Sequence, residues 1–396
     1  MTYDLQRYIH RQKEGDLLQA LKYFPVAAVL GPRQCGKSTL AKYIVSKRKN
    51  TIYLDLQRPS DLRKLTDPEL FFHTHRDKLI CIDEVQIGPD IFPILRAEVD
   101  AERKPGRFLL LGSASQDLIR KSSESLAGRI HYIELTPFTF CELVAEDPKY
   151  RSELLKIWRR GGFPESVLAP TDSISMIWRE DFIRTYLERD IAQFGFSVAP
   201  QVMRRFWSML AHYHGQPLNL SRLGQALGVT HPTIKRYLDI LEQTYMVRSL
   251  RPYNANLKKR LVKSPKVYIR DSGVLHALLE IESMDALLGH PVVGFSWEGM
   301  CIEQIIAAKP DWRASFYRTS SGEEIDLVLE RGQKKLAFEF KASMSPKVSR
   351  GFKSTLEVIQ PDHTWIVAPV EEPYPWQPNV TVSDIYSAIR AIGSLD

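Results

Sequence analysis

Cysteine is scarce in this chain. Four residues in 396, Cys35, Cys81, Cys141 and Cys301, stand far apart, with no Cys-x-x-Cys pair. That spacing argues against a disulfide framework or a thiolate zinc site and fits a reducing cytosol. Long apolar runs are missing too. No stretch approaches the ~20 residues that span a bilayer, and Met1 to Arg7 lacks the basic head and apolar stretch of a secretory leader. A soluble cytoplasmic protein with no membrane partner is expected. No internal repeat or low-complexity segment appears, which excludes solenoids and biased linkers.

The residues present are enough for several cores. The length exceeds the ~250–300 residues at which single cores stop growing, and apolar residues make up 44% of the chain. A net charge of +7 and a pI near 9.0 lean toward acidic partners, nucleic acid above all.

The first part alternates strand and helix patterns. Pro25 to Leu30 is an apolar run ending at a glycine, and Lys37 to Ser46 has helical spacing. Residues 51–55, 79–82 and 108–111 read as strands, the last two apolar at every position, as in parallel strands covered on both faces. Ile130 to Leu135 is expected to close the sheet, giving a three-layer α/β domain. From Pro137 to about Pro200 the pattern turns helical.

Gly31-Pro32-Arg33-Gln34-Cys35-Gly36-Lys37-Ser38, followed by Thr39, fits the phosphate-loop pattern Gly-x-x-x-x-Gly-Lys-Ser. Its glycines let the loop wrap close to phosphates, so backbone N–H groups point inward, and the next helix adds its positive end. Lys37 is expected to reach the outer phosphates of ATP and Ser38 to ligate Mg2+. The strand ending Ile82-Asp83-Glu84 delivers two carboxylates to the same sheet edge. Asp83 is assigned to magnesium and Glu84 to the attacking water. Ser113, after the next strand, would position that water, or is an ordinary turn serine. Cys35 lies inside the loop, near a helix N-terminus and a lysine, a setting shared with reactive thiols; a redox brake and a small filler residue are both open.

These motifs, with Ile82-Asp83-Glu84-Val85-Gln86, Gly112-Ser113-Ala114-Ser115 and Leu126-Ala127-Gly128-Arg129, resemble bacterial AAA-type ATPases fused to a C-terminal domain of unknown function. Gly161-Gly162-Phe163-Pro164-Glu165, Tyr186-Leu187-Glu188-Arg189-Asp190 and Tyr268-Ile269-Arg270-Asp271-Ser272-Gly273 fit the same subfamily, though several carry no known chemistry. The resemblance implies a homo-oligomeric ring, a hexamer among its forms, in which Arg129 reaches a neighbouring subunit's nucleotide. An exposed arginine or a local salt bridge is the other reading.

Leu218 to Glu242 reads as helix, turn, helix, with Leu220, Leu223 and Leu227 on one face and Ile234, Leu238 and Leu241 on the next. A basic stretch comes after it. This is a winged-helix pattern, with Thr233, Lys235 and Arg236 outward and Lys258, Lys259 and Arg260 as phosphate contacts to DNA. A structural spacer fits equally well.

Near the C-terminus, strands at 314–319, 324–330 and 335–342 come after a helix near Trp297. With a period of two, Asp326 lies opposite Leu327, and Glu339 and Lys341 share a face. Pairing through the turn Arg331-Gly332-Gln333 would converge these groups. Asp326 and Glu339 would then hold Mg2+, with Glu298 as a further ligand and Lys341 orienting water. This resembles the PD-(D/E)xK nuclease superfamily, although Ile325 stands before the second acid; a retained fold with no cleavage is the alternative. The expected divisions are an AAA-type ATPase core at 1–140, a helical lid or linker at 141–200, a winged-helix module at 201–263 and a nuclease-like α/β domain at 264–396. Three functions stay open: an ATP-driven enzyme that moves or remodels DNA, with or without cleavage; a non-nucleolytic ATP-dependent switch; and a protein remodeller with no nucleic-acid role.

Overall fold

The computed structural model describes residues 8–88, 90–113, 122, 124–193, 198–253, 262–349 and 351–393. Lys258, Lys259 and Arg260 lie outside these residues. The chain divides into two compact units. One comprises residues 1–138, 142–148 and 243–245, and the other residues 139–141, 149–242 and 246–396.

The first unit is built on five parallel strands, β1 (Val26–Gly31), β2 (Thr51–Asp55), β3 (Leu79–Asp83), β4 (Phe108–Ser113) and β5 (Ile130–Glu134), in the order β2-β3-β4-β1-β5. Every residue of β1 and β3 is buried, as their unbroken apolar runs require. The expected closing strand is β5, which pairs with β1 from Val26↔Ile130 to Leu30↔Glu134. Helix α1 (Lys13–Tyr23) precedes the sheet, and α2 (Lys37–Ser46) follows the first loop. One core joins the strands to flanking helices through Leu54, Phe72, Ile80, Ile82, Leu95 and Phe108. Because all five strands run the same way, the loops after β1, β3 and β4 emerge along one edge. That edge gathers the candidate site.

The second unit begins with helices, the longest being Asp172–Thr185 and Pro200–His212. A single π-turn occupies Tyr186–Asp190, the Tyr-Leu-Glu-Arg-Asp motif. The helix-turn-helix is formed by Leu220–Leu227 and His231–Gln243, with Gly228 left-handed between them (φ 69°). Leu223, Ile234, Leu238 and Leu241 are buried, while Lys235 and Arg236 are exposed and Thr233 is half-buried. A small antiparallel sheet accompanies it: β6 (Gln216–Pro217), β7 (Val247–Leu250) and β8 (Lys266–Ile269), in the order β6-β8-β7.

Six further strands make a mixed sheet: β9 (Arg313–Arg318), β10 (Glu324–Arg331), β11 (Lys334–Phe340), β12 (His363–Val367), β13 (Tyr374–Gln377) and β14 (Val380–Ser383). Their order is β13-β14-β12-β11-β10-β9. The β10–β11 hairpin turns at Gly332, left-handed at φ 60°, with Arg331 opposite Lys334 and Leu327 opposite Phe338. Helix Val293–Ala308 precedes this sheet and buries nine residues, Trp297, Glu298 and Glu303 among them.

Two motifs without evident chemistry find a structural role here. Gly161 and Gly162 lie against Asp271. The Asp271 carboxylate accepts the Gly162 N–H at 2.7 Å and the Val274 N–H at 2.9 Å, capping helix Ser272–Leu278. A Cβ on Gly161 would fall 2.1 Å from that carboxylate, and one on Gly273 would fall 2.1 Å from the Arg160 carbonyl. Only glycine allows the two segments to close on each other. The buried Arg179 adds bonds to the Arg159 and Gly273 carbonyls at 3.2 and 3.0 Å.

Candidate functional site

The loop from Gly31 to Thr39 leaves β1 and enters α2. Gly31 approaches the Leu135 carbonyl so closely that a Cβ there would stand 2.1 Å from its oxygen. Gln34 and Gly36 are left-handed, at φ 61° and 101°. The Lys37 ammonium is buried and folds over the loop, donating to the Gly31 and Pro32 carbonyls at 3.0 and 2.6 Å. The Cys35 thiol is fully buried and donates to the Leu135 carbonyl at 3.3 Å, as a filler residue does.

Asp83 ends β3, buried, and Glu84 follows in a left-handed conformation (φ 54°) that turns the chain sharply away from the sheet. The Glu84 carboxylate accepts from the Gln86 amide. Ser113 stands at the end of β4, in register with Gly31. Two residues that no motif marks complete this edge. Tyr53, on β2, donates its hydroxyl to Asp83 and also meets the Ser38 hydroxyl. Burial, then the Asp83 charge, pushes the Tyr53 pKa up, so it stays a donor. Ser38 and Asp83, the two expected magnesium ligands, are thus brought to one phenol.

Arg11, the second, is buried before α1. Its guanidinium donates to the Cys35 carbonyl at 2.9 Å, to Glu142 at 3.0 Å and to the Thr136 carbonyl at 2.7 Å, and it lies over the Phe138 ring. It therefore braces the phosphate loop from behind. Sequence spacing could not reveal it, because Arg11 lies 24 residues before its loop contact and 131 before its carboxylate.

Arg129 precedes β5 and forms a two-pronged pair with Asp100, at 2.6 and 3.0 Å. The pair is solvent-exposed, the setting in which such contacts contribute little stability.

The C-terminal groups gather around a different residue. Glu298, Asp326 and Glu339 are buried, as is Lys266 of β8. The Lys266 ammonium lies 2.8 Å from Glu298, 2.5 Å from Glu324 and 3.7 Å from Asp326. Tyr268 donates to the same Glu298 oxygen at 2.5 Å, the Phe340 N–H donates to Asp326 at 3.0 Å, and Lys341 holds Glu339 at 2.7 Å. Burial, then the neighbouring Asp326 charge, raises the Glu298 carboxyl to about 7 and that of Glu339 to about 8. The sequence pattern predicts a magnesium site of Asp326 and Glu339 with Glu298 beside them and Lys341 on a water. The structure instead gives Glu298 and Asp326 to an ammonium and Lys341 to Glu339. Among the described residues no group of three or more His, Cys, Asp or Glu is arranged to hold a metal.

Along the same helix, Glu303 accepts from Arg248 of β7 at 3.0 Å and from Arg270 at 2.9 Å. These two cations outweigh the cost of burial and hold its carboxyl down to about 2.

Comparison with known proteins agrees with this layout. A family model described as an AAA domain matches residues 23–144, and two domains of unknown function, DUF8612 and DUF4143, match residues 151–285 and 293–387. An uncharacterized protein of Mycobacterium tuberculosis is 41% identical over 386 residues, covering 98% of this chain and 86% of its own. The chain belongs to this family of AAA-domain proteins with a C-terminal DUF4143 domain. An uncharacterized Haemophilus influenzae protein is 24% identical over 278 residues, 63% of this chain and 68% of its own. Among solved structures, the Walker-type ATPase of Pyrococcus abyssi is similar with a TM-score of 0.49 and 13% identity, over 69% of this chain and 97% of its own. Residues 23–144 are thus an AAA-type ATPase domain, and the five-stranded parallel sheet is its framework. No helix among the described residues is long and apolar enough to cross a membrane.

Proposed function

We propose that the chain binds ATP with magnesium, hydrolyses it, and uses the cycle to remodel DNA within a homo-oligomeric ring. The observation that carries the ATP reading is the meeting of Ser38, Asp83 and Tyr53 at the foot of the phosphate loop, with Glu84 next in the chain. The hard oxygens of Ser38 and Asp83 suit magnesium, which would supply neutralisation of phosphate charge. The loop's N–H groups and the start of α2 receive phosphate oxygens, and Lys37 exchanges its loop carbonyls for the outer phosphates. Glu84 takes the water's proton, and Ser113 lies at the strand end where that water would be oriented.

Two substitutions test this. Lys37→Ala should lose ATP binding. Glu84→Gln should keep binding and lose ~100-fold or more of turnover, the scale of a removed general base. Wild-type turnover in the Glu84 variant would overturn the assignment.

The helix-turn-helix with its small sheet supports a winged-helix reading, with Thr233, Lys235 and Arg236 on the outward side of the second helix. Lys258, Lys259 and Arg260, outside the described residues, are proposed as further phosphate contacts from the sequence alone. Binding dominated by phosphates weakens steeply with salt. A flat response of DNA affinity between ~50 and ~200 mM salt would rule out this surface as the site of DNA contact. The mixed six-stranded sheet behind helix Val293–Ala308 supports a PD-(D/E)xK-like fold. One observation favours the second reading, an ATP-dependent switch whose C-terminal fold binds without cutting: the buried ammonium among its carboxylates.

A further inference from the structure

The carboxylates that a nuclease-like fold would give to a divalent ion already enclose a cation. Lys266 is 1% exposed, and its ammonium contacts Glu298, Glu324 and Asp326 at 2.8, 2.5 and 3.7 Å. Lys266 and Tyr268 are two residues apart on β8, so both project to one face, and both bind the same oxygen of Glu298. The second oxygen of Asp326 is held by the Phe340 N–H, and Lys341 holds one oxygen of Glu339. Arg318 adds a third cation, 3.3 Å from Glu324. Four carboxylates thus face three fixed positive charges, Lys266, Lys341 and Arg318. A further dication would meet strong repulsion from an ammonium that cannot leave for solvent. Magnesium also demands near-octahedral oxygens at ~2.0–2.1 Å, whereas one oxygen each of Glu298, Asp326 and Glu339 is bound by a protein donor, and among these three the buried Glu339 Oε2 lacks a hydrogen-bond partner.

We propose that Lys266 is the resident cation of this cluster. The C-terminal domain then takes no divalent metal there and cuts no DNA by a metal-dependent route. The lysine instead fastens β8 to helix Val293–Ala308 and to β10. Because Lys266 lies on β8, outside the acidic motif, the motif of Asp326, Glu339 and Lys341 does not by itself reveal the cation. The inference is independent of ATP turnover, since all its residues belong to the second unit.

Manganese binding to the nucleotide-free full chain, followed by electron paramagnetic resonance, tests the proposal. Wild type and Asp326→Asn should bind the same number of ions. Lys266→Gln should gain one ion per chain, and Lys266→Gln with Asp326→Asn should lose it again. A folded Lys266→Gln chain that gains no ion overturns the role of the lysine. So does a wild-type ion that Asp326→Asn removes, or magnesium-dependent nicking of supercoiled or branched DNA that Asp326→Asn abolishes. If Lys266→Gln does not fold, comparison of wild type with Asp326→Asn alone decides the question.

Discussion

At the scale of single residues, the phosphate loop is readable because its chemistry is contiguous. Nine neighbouring residues supply the glycines, the lysine and the hydroxyls, and a strand and helix frame them. Arg11, Tyr53 and Lys266 are not readable, since each reaches its partners through strand register or a chain return. Arg11 offers a direct test. Arg11→Met keeps much of the packing over Phe138 but leaves Glu142 without its arginine and the Cys35 carbonyl without its donor. Removing one member of a buried pair typically costs ~3–5 kcal/mol. The variant should melt at lower temperature and bind ATP more weakly, with no change in Glu84-dependent chemistry per bound nucleotide. Unchanged melting and affinity would show that the brace is idle.

At the scale of elements, period and apolarity locate the five parallel strands and β9 to β11, but leave β12, β13 and β14 unmarked. The β10–β11 hairpin and the buried β1 and β3 follow from alternation and unbroken apolar runs respectively. They do not show which segments lock together. The glycine pair at 161–162 and the Arg-Asp-Ser-Gly run are far apart in sequence, and their meaning is steric. Gly273→Ala should therefore destabilise the chain by more than ~2 kcal/mol, through the clash with the Arg160 carbonyl and the lost cap. A chemical denaturation midpoint equal to wild type would refute the clasp. The Glu303 pairs make a pH prediction. Its folded carboxyl sits at about 2 against an unfolded value near 4.5. Its stabilisation is complete above pH ~4.5 and is lost as pH falls from there toward 2. Glu303→Gln should be several kcal/mol less stable at neutral pH, and its deficit relative to wild type should shrink below pH ~4.5. A gap that stays constant down to pH 3 would show that the ionised carboxylate is not what the arginines hold.

At the scale of the whole molecule, the proposed ring depends on Arg129, which in a single chain pairs with Asp100. A role toward a neighbour requires that exposed pair to open, a small cost. Mixing Arg129→Ala chains with Glu84→Gln chains should restore part of the turnover that each lacks alone, because one supplies the arginine and the other an intact site. Turnover equal to the sum of the separate proteins would exclude the shared site. The expected four-part division rests on changes in pattern along the chain. The contacts draw two compact units, and the second takes in both the helix-turn-helix and the six-stranded sheet. Pattern changes mark where local structure alters, whereas contacts between distant segments, apolar packing and charge pairs together, decide what holds together. Helix Val293–Ala308 makes the difference concrete. Its carboxylates Glu298 and Glu303 are matched by Lys266, Arg248 and Arg270. The family boundary between residues 285 and 293 runs between the two sets. A gene cut at that boundary would part acid from base. Each fragment would carry buried charges with no counterpart, so this pair of segments should travel through evolution as one heritable piece.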